Sequence, residues 1–284
     1  MNISSPPPAD STARVWNIEG KPIAQYIFEH GSNVTRVSFL DDKTLMTASE
    51  DKTIRLFDLN TGKQILALRG HEDTVVDVSY SPQTAMVASA STDGTVRLWR
   101  TRSWGQAREL QGHTGPILAV AYQPAGTMAA SGGSDATVRL WDTANGNVLR
   151  VFDRHLASVT AVAFSPIAPL ALSADEAGAA FLWRTDNGEI VYKLEGDEGA
   201  IYSAAFSPNG EMIVTTGDNG TVILWNPATG QKITRFSGHT GGVLAATFSP
   251  DGQTSPLPVM IAWCNCGTSH HGLHAVHSLS SQAP

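Results

Sequence analysis

The strongest constraint on this chain is a phrase that it repeats. Residues 88–100 read ASASTDGTVRLWR, and variants of the same phrase stand at 48–58 (ASEDKTIRLFD), 130–142 (ASGGSDATVRLWD), 173–184 (SADEAGAAFLWR) and 215–226 (TTGDNGTVILWN). Their aromatic anchors, Phe57, Trp99, Trp141, Trp183 and Trp225, recur every 42 residues, and Trp16 lies 41 residues before the first. A unit of this length cannot bury both of its faces alone, so copies must stack on one another to make a continuous core.

Each unit reads in the same order. A His is followed by an apolar strand such as VVDVSY (75–80), a Ser-Pro turn, and a second strand such as AMVASA (85–90). A tight Asp-containing turn, the TVRLW strand, a Gly turn and an outer strand complete it. Pro82, Pro124, Pro166, Pro208 and Pro250 preset the first turn, and Gly62, Gly146, Gly188 and Gly230 stand before the outer strand, where a positive φ is needed. Hydrophobic residues make up 42% and charged residues 16%, which suits short, well-buried strands rich in Val, Ala, Leu and Ile. The period and four strands per unit predict an all-β β-propeller of four-stranded antiparallel blades.

The residues also carry a family resemblance. Gly70-His71, Gly112-His113 and Gly238-His239, together with the endings LFD, LWR, LWD and LWN, resemble the Gly-His and Trp-Asp marks of the WD-repeat family over about residues 13–254. The final Asp survives only at Asp58 and Asp142, with Arg100, Arg184 and Asn226 in its place elsewhere. The resemblance implies a rigid, noncatalytic scaffold for protein–protein interaction and complex assembly.

Alignment on the anchor exposes a polar set inside each unit. A hydroxyl stands ten residues before it: Thr47, Ser89, Ser131, Ser173 and Thr215. An acid stands six before it at Asp51, Asp93 and Asp135, and a His 27 or 28 before it at His30, His71, His113 and His155. Unit four has Ala177 at the acid position; unit five has Asp197 for the His and Asn219 for the acid. A Ser-His-Asp set suggests nucleophilic catalysis, but one copy would suffice, and neither a nucleophile elbow nor an oxyanion motif accompanies it. The resemblance implies instead a buried hydrogen-bonded chain that ties strands and loop together, with Phe57, Trp99, Trp141, Trp183 and Trp225 as its aromatic members. No catalytic residue is assigned.

The unit count depends on the ends. Residues 13–28 supply a third and fourth strand, so a closed ring of six blades requires the C-terminus to supply a first and second. Residues 243–248 provide the first, but after Thr254 the pattern breaks: Leu257, Ile261 and Gly267 occupy the hydroxyl, Asp and Trp positions, and Pro256 and Pro258 interrupt a strand. A shifted strand over 259–263, closing near 264, restores six; the rival reading is a truncated seven-bladed ring with an unpaired edge. Residues 1–12 read as a disordered leader and 265–284 as a disordered tail. Cys264, Cys266, His270, His271, His274 and His277 are zinc-ligand types, but Cys-x-Cys is too short for ordinary structural zinc spacing, so no metal and no cofactor is expected.

Function is then sought on loops that the scaffold holds still. By the resemblance, one face is built from the loop after each His (Asn33, Asp73, Gly115, Ser158, Glu198, Gly241) and the turn before each acid (Glu50, Thr92, Ser134, Glu176, Asp218). The charged members are all acidic, which points to proteins or peptides with basic segments as partners. The alternatives are nucleic-acid or ribonucleoprotein binding through one face, and an enzyme at the central channel. A net charge of -7 argues against direct nucleic-acid binding, which needs clustered Lys and Arg. No run of about 18 apolar residues spans a membrane, the N-terminus lacks a secretory pattern, and the two Cys make no disulfide framework. An intracellular, cytoplasmic protein is expected.

Overall fold

The computed structural model describes residues 2–4, 11–16, 28–196, 199–248 and 260–264. Every regular element among them is a β-strand. The chain divides into two compact units, Met1–Asp153 and Arg154–Pro284.

The first unit opens with a three-stranded sheet, β1 (Asn2–Ser4), β2 (Thr12–Trp16) and β3 (Phe28–Glu29), in the order β1-β2-β3. Three four-stranded antiparallel blades follow, each in chain order. The first blade is β4 (Val34–Asp41), β5 (Thr44–Ser49), β6 (Ile54–Asp58) and β7 (Gln64–Leu68). The second is β8 (Val75–Ser81), β9 (Met86–Ser91), β10 (Val96–Arg100) and β11 (Gln106–Leu110). The third is β12 (Ile117–Tyr122), β13 (Met128–Gly133), β14 (Val138–Asp142) and β15 (Val148–Phe152).

The second unit holds the fourth blade, β16 (Val159–Phe164), β17 (Leu170–Asp175), β18 (Ala180–Arg184) and β19 (Ile190–Leu194). The fifth blade is β20 (Ile201–Phe206), β21 (Ile213–Gly217), β22 (Val222–Trp225) and β23 (Lys232–Phe236). A two-stranded sheet of β24 (Val243–Phe248) and β25 (Met260–Cys264) ends it.

Blade faces bury one another by alternation along the strands. Met46, Ala48, Ile54, Leu56 and Leu68 of the first blade pack on Val75, Val78, Val87 and Trp99 of the second. Ala88, Ala90, Val96, Leu98 and Leu110 of the second meet Ile117, Val120, Tyr122, Ala129 and Trp141 of the third. Within the second unit Leu172, Leu182 and Leu194 face Ile201, Ile213 and Trp225. On the TVRLW strand, the residue before the anchor faces forward and the anchor faces back into the preceding blade, as a period of two requires. The outer strands are exposed or half-buried except at their last residue, Leu68, Leu110, Phe152 and Leu194, which closes the core.

One end departs from the sequence expectation, and at the other the shifted strand read over 259–263 is present as Met260–Cys264. Within the stretch read as a disordered leader, Asn2–Ser4 pairs with Arg14–Trp16, so β2 takes β1 on one edge and β3 on the other. An edge strand carries unpaired N–H and C=O groups, and β1 supplies partners for them. At the C-terminus the second strand is present but late. Val75 pairs with Ser91, sixteen residues on, and Val159 with Asp175 at the same offset, whereas Val243 pairs with Cys264, twenty-one residues on. Five extra residues before β25 therefore account for the lost register after Thr254. The Cys/His tail from 265 onward, with Cys266 and its four histidines, lies outside the described residues.

Candidate functional site

The polar sets form inside each blade, where a loop His drops between the second and third strands. In the second blade His71 Nδ1 stands 2.7 Å from Asp93 Oδ2, its Nε2 2.7 Å from Ser89 Oγ, and Trp99 Nε1 donates to Ser89 Oγ at 2.9 Å. The third blade repeats this with His113 2.9 Å from Asp135 Oδ2 and 2.8 Å from Ser131 Oγ, and Trp141 Nε1 donating to Ser131 Oγ at 2.8 Å. In the first blade His30 lies 3.1 Å from Asp51 and 2.6 Å from Thr47, and Phe57 offers only its ring, 6.2 Å from the imidazole. In the fifth, Trp225 Nε1 donates to Thr215 Oγ1 at 2.9 Å, and Asn219 Oδ1 accepts from the N–H of Thr221 at 3.0 Å. Asp197 lies outside the described residues.

The direction of these bonds follows from the donors. Indole Nε1–H can only donate, so the serine hydroxyl gives its own proton to His Nε2, and Nδ1–H donates to the carboxylate. A neutral imidazole satisfies the whole chain. Burial holds His30, His71, His113 and His155 below the ordinary imidazole pKa, against the upward pull of the neighbouring acids. For Asp93 burial acts upward, but the Thr95 hydroxyl, the Glu72 N–H and His71 outweigh it and bring the carboxyl down to about 2. Asp51 and Asp135 are lowered in the same way.

The fourth blade departs from the sequence reading. Ala177 occupies the periodic acid position, but the acid is supplied from two residues earlier. Asp175 Oδ2 lies 2.7 Å from His155 Nδ1, and its Oδ1 accepts from the N–H groups of Ala177 and Ala179 at 3.0 and 2.9 Å. His155 Nε2 and Trp183 Nε1 meet Ser173 Oγ at 2.7 and 3.1 Å. Ser49 and Ser91 hold the equivalent position in the first two blades, where each hydroxyl caps the N–H of the acid two residues on. The signal was the Asp of SADEAG, displaced from the register that alignment on the anchor imposes. Asp77 was also missed. This buried acid of β8 pairs with Arg36 at 2.9 Å and accepts the Val120 N–H of the third blade at 2.9 Å.

The candidate contact residues lie on loops that are clamped in pairs. The N–H of the turn residue donates to a carbonyl of the loop after the His: Glu50 to Asn33 at 3.0 Å, Thr92 to Thr74 at 3.0 Å, Ser134 to Pro116 at 2.8 Å, Glu176 to Ser158 at 3.0 Å and Asp218 to Ala200 at 3.0 Å. Asp73 orders its own loop by accepting the Thr74 N–H at 2.7 Å. Gly115 is half-buried, and a Cβ there would press on Ser134 Oγ at 2.5 Å, so this loop pair is also close-packed. Glu50, Asp73, Ser134, Glu176 and Asp218 are exposed, whereas Asn33, Thr92, Ser158 and Gly241 are half-buried. Glu198 lies outside the described residues. The serines of the His sets, by contrast, are fully buried and cannot meet a substrate.

Six consecutive segments, 20–58, 62–100, 104–142, 146–184, 188–226 and 230–262, match the WD40 family model, described as WD domain, G-beta repeat. The chain belongs to the WD40 family. Each match ends at or beside the aromatic anchor, except the last, which ends within β25. WD40 repeats generally mediate protein–protein interaction. A 79-residue stretch is 30% identical to WD repeat and SOCS box-containing protein 1 of Homo sapiens, and another comparison of the same length and identity holds for the Xenopus tropicalis protein of that name. The matched stretch is 27% of this WD40 chain and spans about a fifth (19%) of either relative. Among the described residues no helix is long and apolar enough to cross a membrane, and no three His, Cys, Asp or Glu side chains converge to hold a metal ion.

Proposed function

We propose that this WD40 protein is a noncatalytic scaffold that docks basic segments of partner proteins on the loops beside its His sets. The observation that carries the reading is the clamped, exposed acid at the loop tips. Glu50, Glu72 and Asp73 are exposed in the first unit, as are Glu176 and Asp218 in the second. A loop fixed by backbone hydrogen bonds loses little entropy on binding, so its carboxylates are preorganised for a guanidinium or ammonium group. The net charge of -7 adds long-range attraction for such a partner. Because His30, His71, His113 and His155 and the serines beside them are consumed by buried bonds, none of these is free to serve as base or nucleophile.

The test is an array of peptides of varied charge probed with the full chain and with a triple variant, Glu50→Lys, Glu176→Lys, Asp218→Lys. Capture is expected to be enriched in Arg- and Lys-containing peptides and to be lost in the variant. Unaltered binding by the variant would defeat the proposal. Retention on nucleic acid at physiological salt would favour the alternative class.

A further inference from the structure

The position that closes each repeat holds Asp58, Arg100, Asp142, Arg184 and Asn226, and four of the five have local work. Asp58, Asp142 and Asn226 accept N–H groups of their own following turns at 2.8 Å. Arg184 pairs with Asp186 at 2.8 Å. Arg100 is the exception: its side chain is exposed, and among the described residues its guanidinium meets no acceptor. It borders a groove of about 570 Å³ between the second and third blades, within the first unit. The apolar lining includes Met86, Ala107, Met128 and Leu149, and Arg108 joins Arg100 as a second cation. Leu149 is 49% exposed, an apolar side chain left open to solvent at the groove rim.

We propose that this groove binds an extended partner segment in which a carboxylate-bearing residue neighbours an aliphatic one. Two exposed arginines beside an apolar wall, in a chain of net charge -7, make a local field opposite in sign to that of the whole protein. The lining acid, Asp142, offsets one of the two charges and leaves the lining net positive, and its carboxylate is held by the N–H groups of Ala144 and Asn145 and by Asn145 Nδ2. Arg108 is steadied by donating to the Ala144 carbonyl, which leaves its other nitrogens for an incoming carboxylate. Two thioethers and a leucine suit an aliphatic side chain of variable shape. The groove is also distinct from the acidic loops. β10 starts at the turn bearing Thr92 and ends at Arg100, so the groove lies at the opposite end of the strands from the acidic tips of the same blades.

The experiment uses the full chain labelled with ¹³C at its methionine methyls, six in all. Assignments come from single Met→Leu variants, and the probes are capped hexapeptides of alternating Glu and Leu, Gln and Leu, or Lys and Leu. The Met86 and Met128 signals should move saturably with the Glu–Leu peptide while those of Met46 and Met212 stay. The Gln–Leu peptide should bind about tenfold more weakly, the loss of one charge-assisted bond. Arg100→Glu should abolish the Glu–Leu response while leaving the thermal midpoint unchanged, since that side chain has no partner in the fold. Absence of saturable shifts, an equal response to Gln–Leu or Lys–Leu, or an unimpaired Arg100→Glu variant would each overturn the proposal. Shifts that follow protein concentration without peptide would also overturn it, by assigning the groove to a second copy.

Discussion

His155 Nδ1 and Asp175 Oδ2 are 2.7 Å apart, although the repeat offers no acid at the position where three other blades carry one. The fourth blade makes the same contact from the last residue of its second strand instead of from the following turn. Asp175 is fully buried, and its second oxygen serves two N–H groups of the turn that lacks the usual acid. The geometry required is a carboxylate at the imidazole, and two backbone positions can deliver it.

Asp175→Ala should therefore destabilise the chain, by roughly 2–4 kcal/mol, because the buried His155 Nδ1–H and two turn N–H groups lose their acceptor together. Adding Ala177→Asp to that variant should recover part of the loss, since it restores the acid at the position used by Asp51, Asp93 and Asp135. Chemical denaturation of both variants measures this. A double variant no more stable than Asp175→Ala would show that the turn of this blade cannot present the acid in the common way.

Stability should fall on mild acidification. Each of the four network histidines has its folded pKa held below its unfolded value near 6.5 by burial, so the unfolded chain binds more protons as pH drops. The loss begins as pH falls through about 6.5 and continues to the lower folded values. A second loss follows below pH 4, as Asp93, whose folded carboxyl is lowered to about 2, is protonated in the unfolded chain first. Asp77 acts in the opposite sense, because burial raises its carboxyl, and Asp77→Asn removes that contribution. Thermal midpoints in the Asp77→Asn background should drop from pH 7.5 to 5.5. A flat profile would mean that the imidazoles are not held neutral.

The blades were legible in the sequence because alternation, turn residues and anchor repeat together every 42 residues, and each constrains the same strands. The His sets were legible where the register was kept. Asp175 was not, since a two-residue displacement along the backbone hides an acid from alignment while the side chain still reaches the imidazole. Asp77 was hidden by the pattern around it: VVDVSY reads as an apolar strand, and the partners that explain a buried carboxylate, Arg36 and the Val120 N–H, come from other blades. The five-residue delay before β25 broke the hydroxyl, Asp and Trp register after Thr254, yet the apolar run over 259–263 still marked the last strand. The groove left a fainter trace, an Arg at a position where Asp58, Asp142 and Asn226 cap the following turn.

The tight turn five residues before each anchor gives a backbone prediction. Gly94, Gly178 and Gly220 there have positive φ of 81°, 84° and 72°, and Ala136 is held at 59° in the third blade. An L-residue in the left-handed region costs about 1–2 kcal/mol, and glycine gives back about 0.4–1 kcal/mol through the freer unfolded chain. Ala136→Gly should thus stabilise by roughly 0.5–1 kcal/mol, and Gly94→Ala should destabilise by a similar amount. The Cβ at 94 would meet only the Gly115 carbonyl at an ordinary 3.5 Å, so dihedral strain and not collision sets the result. A destabilising Ala136→Gly or a stabilising Gly94→Ala, read from the denaturation midpoints, would show that the turn relaxes out of the left-handed region.

Asp77 and Ser79 make the first unit's second and third blades adhere by polar bonds as well as by packing. The Asp77 carboxylate accepts from Val120 N–H at 2.9 Å and Ser79 Oγ accepts from Tyr122 N–H at 3.1 Å, so two edge donors of β12 are satisfied by side chains of β8. Removing the acid leaves a buried N–H and the Arg36 guanidinium without their partner. Asp77→Ala should cost about 1–3 kcal/mol, whereas Asp77→Asn, which keeps an oxygen for Val120, should lose less. Hydrogen exchange separates this from a general loss of stability. The Val120 amide should lose protection in Asp77→Ala by more than the amides of β14 do, and a uniform loss over the third blade would refute a local role.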